Sequence, residues 1–262
     1  MHFAFFLVLA TFLTGCSSLL PGQAEIAPGQ DAWASASNQP EWKSSAHGAA
    51  SPIWRHHALP GKSATLFSFA RHDGRDAVAA VADASASLWR RKVRIEPVDL
   101  EMLRFSWHVP ALIEGADMGR RDADDSPARV VLAFEGDRSR FSQRDVLLSE
   151  LALTLTGEPL PYATLMYVWC NTRPVGTVIA SPRTDRIRKL VVESGPSRLS
   201  RWVDHERDIG ADFERAFGEK PGVLTGVALM SDTDNTRAKA QAWYGPVRLV
   251  PYGAGAGQPP GR

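Results

Sequence analysis

Leu103-Arg104-Phe105-Ser106-Trp107-His108-Val109 is the stretch whose reading decides the fold. Successive side chains of an extended backbone point to opposite faces, so Leu103, Phe105, Trp107 and Val109 share one side of a strand. Upstream, the apolar run at 65–69 leads into Asp73-Gly74, a two-residue hairpin signal, and then into a second run at 78–82. Residues 88–95 form a further strand closed by Pro97. Residues 128–134 are apolar on both faces, as a central strand covered on both sides would be. The pattern continues at 163–170, 177–180, 187–193, 223–230 and 239–250. Two stretches carry helical spacing instead. Residues 143–155 place apolar side chains at 147, 148, 151 and 155, which predicts one helix covering a sheet. Residues 208–217 predict a second short helix stopped by Gly218. About ten short strands with one or two short helices argue a mostly-β, jelly-roll β-sandwich over residues 55–252.

The chain has 262 residues, enough for one medium domain or two small ones. With 44% hydrophobic and 23% charged residues it lies in the globular range and can bury a sizeable core. Thirty Lys and Arg against 29 Asp and Glu give a formal charge of +1, with the basic residues scattered, so there is no field for gripping nucleic acid.

The first residues, through Leu13, form an apolar run of about a dozen, too short to cross a bilayer of ~30 Å but suited to the core of a signal peptide over residues 1–15. Leu13-Thr14-Gly15-Cys16, followed by Ser17-Ser18, resembles the bacterial lipobox. That resemblance implies lipidation of Cys16 and anchorage at the periplasmic face of the outer membrane, since Ser17 lacks the acid that favours inner-membrane retention. Two or three acyl chains, each methylene contributing ~0.8 kcal/mol, would hold essentially permanently. Residues 16–54 are rich in Ala, Ser, Gln, Gly and Pro and read as a tether spanning roughly 30–35 Å, although Trp33 and Trp42 are unusual for a pure linker. Residues 253–262 read as a frayed tail. With Cys16 lipidated, Cys170 has no disulfide partner and is expected to be buried as a small hydrophobe.

A wider resemblance rests on Ala86-Ser87-Leu88, Phe105-Ser106-Trp107-His108-Val109, the run from Asp124-Asp125-Ser126-Pro127 to Val130, and Tyr167-Val168-Trp169. It continues through Trp202 with Arg207-Asp208, Phe217-Gly218-Glu219, the run from Ala228 to Thr236, and Ala242-Trp243-Tyr244-Gly245. Together these resemble one bacterial family, the domain of unknown function numbered three thousand and forty-seven, across nearly the whole globular unit. The resemblance brings no assigned activity. A jelly roll ending in an acidic turn and an aromatic strand is also similar, at fold level, to carbohydrate-binding modules of the galactose-binding type. Where the family often has an acid after the Tyr-Gly step, this chain has Pro246.

Asp232-Thr233-Asp234-Asn235-Thr236 ends an apolar strand, and two carboxylates at i and i+2 with Asn235 could supply hard oxygen ligands for a structural calcium ion, with Asp232 and Asp234 as its ligands. The spacing is not that of an EF-hand, because Arg237 and Trp243 stand where Gly and Glu are required. The competing reading is a turn whose Asp and Asn side chains bond their own backbone. Trp107, Tyr167, Trp169, Trp202, Trp243 and Tyr244 lie in or beside strands, and some of them could offer a stacking platform to a sugar, against core packing as the alternative; Trp243 and Tyr244 point to opposite faces, so one of them can be exposed. His56, His57, His72, His108 and His205 lack metal-helix spacing and read as surface or satisfied histidines. Asp208 with Asp212, and Glu193 with a partner brought in by folding, are candidate acid pairs; the bland reading for the first pair is acids near a helix start. Arg183, Arg186, Arg188 and Lys189 read as a solvated strand edge. No nucleophile elbow, phosphate loop or dinucleotide fingerprint is present, so the sequence favours a binding protein over an enzyme. The leading expectation is a lipid-anchored glycan-binding module using Trp107, Asp232, Asp234, Asn235, Trp243 and Tyr244. An envelope assembly lipoprotein with a protein partner comes second, and a carboxylate hydrolase third.

Overall fold

The computed structural model describes residues 31–37 and 54–250. A helix, α1 (Asp31–Ser37), precedes strands β1 (Arg55–Ala58), β2 (Leu66–His72), β3 (Arg75–Asp83), β4 (Ser87–Ile95), β5 (Met102–His108) and β6 (Ser126–Phe134). Helix α2 (Gln143–Thr156) leads to β7 (Ala163–Cys170), β8 (Val178–Ala180), β9 (Ile187–Ser194) and β10 (Trp202–Asp208), and α3 (Ile209–Phe217) leads to β11 (Leu224–Asp232), β12 (Lys239–Tyr244) and β13 (Arg248–Val250). The strands form two sheets, one in the order β1-β4-β11-β6-β7-β9-β8, the other β10-β5-β12-β3-β2 with β13 also paired to β5. All pairings are antiparallel except β7 with β9. The chain is a mostly-β sandwich of the jelly-roll kind.

Alternation builds the core as the sequence predicts. Leu103, Phe105 and Trp107 face inward from β5 and meet Tyr167 and Trp169 of β7, with Phe105 stacked on Tyr167 at 5.7 Å and Trp107 6.1 Å from Trp169. Strand β6 lies fourth of seven and is buried along both faces. The Asp73-Gly74 hairpin has φ of 44° and 76°, the two left-handed residues that a tight, strand-matched turn requires. Cys170 is a buried free thiol.

Several expectations need correction. Strands β1 and β10 were not legible, and the single strand expected at 239–250 is two. It breaks at Gly245-Pro246, where a Cβ on Gly245 would stand 2.2 Å from Ser106 Oγ and where Pro246 has no N–H to offer a ladder. Helix α2 forms where predicted, capped by Ser142 and stopped by Gly157 at φ 75°, but its apolar stripe does not cover a sheet. Leu147, Leu151 and Leu155 are 67%, 54% and 59% exposed. The helix is held by its polar side: Asp145 accepts bonds from Ser142 Oγ and Thr184 Oγ1, and Arg138 reaches Ser149. The covering role falls to α3, whose Phe213 packs on Phe134 at 4.7 Å. The basic run at 183–189 is no solvated edge, because β9 is flanked by β7 and β8, Lys189 is fully buried, and Arg186 lies over Tyr162 and pairs with Glu219.

Part of the expected tether is folded. Trp33 of α1 is buried against Trp54 at 5.1 Å and its indole N–H donates to the Tyr244 carbonyl at 2.9 Å, so one side chain supplies both apolar area and a polar partner. Ser37 Oγ accepts the Val247 N–H at 3.2 Å, and Ser37 O accepts from Arg91 at 2.8 Å. Cys16, Trp42, the expected signal segment and the 253–262 tail lie outside the described residues.

The exposure of α2 makes a direct comparison. Leu151→Ala should change unfolding free energy by no more than about 0.5 kcal/mol, as surface changes do. Leu132→Ala, at a site with no exposure, should cost roughly 2–5 kcal/mol in the same denaturant titration. A cost above 2 kcal/mol at Leu151 would mean that the helix does cover a core surface.

Candidate functional site

Two clusters of polar and aromatic side chains form outside the main core, one on the outer face of each sheet. The first surrounds the end of β11. Strand alternation sends Arg129, Lys189 and Asp232 outward from β6, β9 and β11, but the segment joining β5 to β6 covers them with Met118, Asp124 and Asp125. Buried charge must then be paired. Arg129 Nη2 lies 3.2 Å from both Asp124 and Asp232 and 2.7 Å from the Asp124 carbonyl. Lys189 Nζ donates to Asp124 at 2.7 Å and to Met118 O at 3.0 Å, and Lys62 pairs with Asp234.

The expected acidic turn exists, closed from a distance and not by its own side chains alone. Asp125 accepts the backbone N–H groups of Asn235 and Thr236 at 3.2 and 2.6 Å and the Thr236 hydroxyl at 2.6 Å. Asn235 Nδ2 donates to Arg121 O at 3.1 Å. Burial lifts the Asp232 carboxyl to about 8; Arg129 opposes this but is shared with Asp124, and Asp234 alongside adds to the rise. Burial also acts on Asp234, yet the bond from Asp232 and the pairing with Lys62 hold it below the usual carboxylate range. The two neighbouring carboxyls are thus pushed in opposite directions, Asp232 toward its neutral form and Asp234 toward its charged form. Burial similarly brings Lys189 down to about 8, with Arg129 as a second cause.

One oxygen each from Asp125, Asp232 and Asp234 lies within 4.8 Å of the others, so folding assembles the two residues expected for calcium and adds a third. The donor set is already engaged: Arg129 and Lys189 pair with Asp124, Arg129 also with Asp232, Lys62 with Asp234, and Arg183 acts on Asp234 as well. Calcium takes 6–8 oxygens and would have to displace Lys62.

The second cluster lies on the outer face of the sheet β10-β5-β12-β3-β2. Along it Leu66, Ser68, Val81, Asp204 and Glu206 are exposed. Trp243 points to this face and remains half-buried, its ring stacked on His72 at 3.7 Å and 5°. His108 stands edge-on to both, 4.4 Å from His72 and 5.4 Å from Trp243. Trp202 completes the group, its indole N–H donating to His72 O at 3.1 Å, with Arg75 5.3 Å over its ring. Asp73, in the hairpin turn, lies 3.7 Å from His72 Nε2 and 3.4 Å from His108 Nε2. Burial pulls the His108 pKa below its ordinary value, and His72 acts in the same direction.

Of the expected site residues, Asp232, Asp234 and Asn235 come together, and Trp243 stands on the other sheet's outer face. Trp107 and Tyr244 are core residues with no exposure, because alternation turns them inward at positions 107 and 244. Trp107 cannot stack on a ligand, and Tyr244 Oη instead donates to Met230 O at 2.7 Å. The acid pairs resolve into structural roles: Asp212 pairs with Arg207 at 2.5 Å, Asp208 accepts the Ala211 N–H as the α3 cap, and Glu193 holds Arg198 at 2.9 Å. Trp202 stands among the aromatics expected as a platform, but its grouping with His72, Asp73 and His108 is not legible in the sequence. The hairpin signal at Asp73-Gly74 placed His72 at a strand end, but nothing in the sequence shows that β2 and β5 end together.

A jelly-roll sandwich with one sheet face open to solvent and edged by histidine and tryptophan is the class that fold and site define. The chain belongs to the family described as protein of unknown function (DUF3047), which matches residues 52–248. No curated protein matches it. Among solved structures, the xyloglucanase domain of NopAA, a type three effector from Sinorhizobium fredii in complex with cellobiose, is similar with a TM-score of 0.38 and 9% identity, covering 75% of this chain and 92% of that one. A meso-active, thermostable cellulase derived from Cel12A of Rhodothermus marinus has a TM-score of 0.39 and 10% identity, covering 75% and 95%.

The raised pKa of Asp232 makes stability depend on pH in a defined direction. A carboxyl that titrates near 3.8 unfolded and about 8 folded contributes fully below 3.8, and its contribution is lost as pH rises through 8. Asp232→Asn keeps a neutral donor at that position. The difference in melting temperature between the native chain and this variant should therefore shift in favour of the variant as pH is raised from 5 to 8. A difference that stays constant with pH would show that Asp232 is ionised throughout.

Proposed function

We propose that this chain is a glycan-binding module that uses the outer face of the sheet β10-β5-β12-β3-β2, with Trp243 as its stacking residue. The observation that carries the reading is the orientation of Trp243: a large ring turned away from the core, stacked on His72, with His108 edge-on to it. Sugars present flat C–H faces and rings of hydroxyls, and this face offers both counterparts. Indole supplies the apolar plane; Gln241, two residues before it on the same side of β12, and the Arg75–Asp204 pair on the same sheet face supply donors and acceptors. The near-neutral charge of +1 suits a neutral ligand better than a polyanion.

The lipobox-like Cys16 extends the proposal to location. A module lipidated there would sit on the periplasmic face of the outer membrane. Among the described residues no helix is long and apolar enough to cross a membrane. Cys16→Ser in the producing cell should move the chain from the membrane to the soluble envelope fraction and remove its incorporation of labelled palmitate. Unchanged fractionation and labelling would dismiss the anchor.

One observation favours a second reading, that of an assembly lipoprotein meeting an envelope protein. Leu147, Leu151 and Leu155 make an exposed stripe on α2. A defined cross-link to one envelope protein, lost in Leu151→Glu and retained in Trp243→Ala, would support that reading over the glycan one.

For the leading reading, soluble glycans of the cell envelope and β-linked glucan oligosaccharides are titrated against the protein by thermal melting. A ligand at 100 times its dissociation constant adds ~2.7 kcal/mol, and each kcal/mol moves the midpoint of a domain this size by ~2–4 °C. A shift of several degrees with at least one glycan is expected. Trp243→Ala should weaken binding at least about tenfold, as loss of a central aromatic anchor does, with its own melting curve still cooperative. Absence of any shift across the set, or a shift indifferent to Trp243→Ala, would overturn the assignment.

A further inference from the structure

The histidines beside Trp243 carry a separate inference, one that does not rest on the glycan reading. Nε2 of His72 and Nε2 of His108 both face Oδ2 of Asp73, at 3.7 and 3.4 Å, and one ligand atom from each of the three residues lies within 4.8 Å of the others. Tetrahedral zinc with bonds of about 2.0–2.1 Å sets its ligand atoms about 3.4 Å apart, so the three groups need to close by only tenths of an ångström on the two Asp73 edges. His72 Nε2 is out of contact with solvent and has no hydrogen-bond partner, a state that costs free energy unless something else satisfies the ring. A bound cation is one group that would do so.

The surroundings fit a metal centre. Ligand rings must be held in place, and here His72 is stacked flat on Trp243 while its backbone carbonyl takes the Trp202 indole N–H. Of the two arginines flanking Asp73, Arg75 is drawn off to Asp204 at 2.6 Å and Arg71 to Asp76 at 3.6 Å. The Asp73 side chain is 61% exposed, which leaves the remaining coordination position open to water or a ligand. Two imidazoles and one carboxylate suit a borderline transition ion better than calcium or magnesium, which prefer all-oxygen sites.

We propose that His72, Asp73 and His108 form a binding site for a single divalent transition-metal ion, of which zinc is the first to test, at the solvent-facing end of β2 and β5. The site is neither the acidic turn at Asp232 nor the Trp243 surface itself, although it adjoins the latter.

The test uses the chain without an affinity tag, stripped with chelator and titrated with zinc chloride by calorimetry, then with cobalt(II) to read the visible absorption of a low-coordinate ion. One ion per chain is expected. Asp73→Asn should weaken zinc binding at least about tenfold, the scale on which even outer-shell losses act. That variant is chosen because the turn needs φ 44° at position 73, which Asn adopts as readily as Asp, so the fold is retained. His72→Gln should act similarly and abolish the cobalt spectrum. Asp234→Asn, in the other cluster, should leave both measurements unchanged. Failure to take up zinc, or uptake unaffected by Asp73→Asn and His72→Gln, would overturn the site. Loss of uptake in Asp234→Asn with retention in Asp73→Asn would place the ion in the acidic turn instead. Glycan binding is scored separately in the metal-free chain, so either proposal can fail alone.

Discussion

Each strand gives one row of side chains to the shared core, and this two-residue period governs what the other row can be. The two sheets treat their second rows differently. In the sheet containing β6 and β11, the segment before β6 lies across the outer row, so Arg129, Lys189 and Asp232 are taken out of water on a face that alternation alone would leave wet. In the sheet containing β5 and β12, the outward side chains Leu66, Ser68, Val81, Asp204 and Glu206 meet solvent. One outer face becomes a buried electrostatic layer and the other a surface able to meet a ligand.

That difference explains the chemistry of the acidic turn. Exposed aspartates at i and i+2 would ionise separately and could recruit a cation. Buried ones need internal compensation, and the fold brings Arg129, Lys189 and Lys62 from three distant segments to provide it. Burial pushes Asp232, the more deeply buried of the two neighbouring aspartates, toward its neutral form, while Lys62 and Arg183 keep Asp234 charged. The result is a fastening between β6, β9, β11 and the loop that covers them. Such a layer is costly to break from one side, because any deletion strands a charge in a dry setting.

Much of the fold was legible because it rests on periodicity. The alternation at 103–109, the doubly apolar run at 128–134 and the hairpin at Asp73-Gly74 each encode local geometry, and each formed as read. Helix α2 shows the limit: its 3.6-residue spacing established a helix, but which side faces the protein was decided by Asp145 and its bond to Thr184, a contact between residues 39 apart. Strand β10 was hidden because Asp204 and Glu206 dominate its composition while its order comes from pairing with β5 along its whole length. The candidate metal ligands were hidden for a related reason. His72 and Asp73 are neighbours in sequence, but His108 reaches them only because Trp243 of β12 pairs with it and brings β2, β3 and β5 into one sheet.

Tyr244, which the sequence suggested as a ligand contact, acts on the outer face from within the core. Its hydroxyl donates to Met230 O at 2.7 Å, accepts the Arg129 N–H at 3.3 Å and lies 3.1 Å from Ser231 Oγ. Pairing of β11 with β6 shifts register between Met230 and Asp232, where the ladder is interrupted, and the tyrosine serves backbone groups at that point. These bonds join the two sheets and fix β12 lengthwise. A slip of one residue would exchange the faces, turning Tyr244 out and Trp243 in. The orientation of Trp243, and with it the stack on His72, is therefore set by a buried phenol on the opposite side of its own strand.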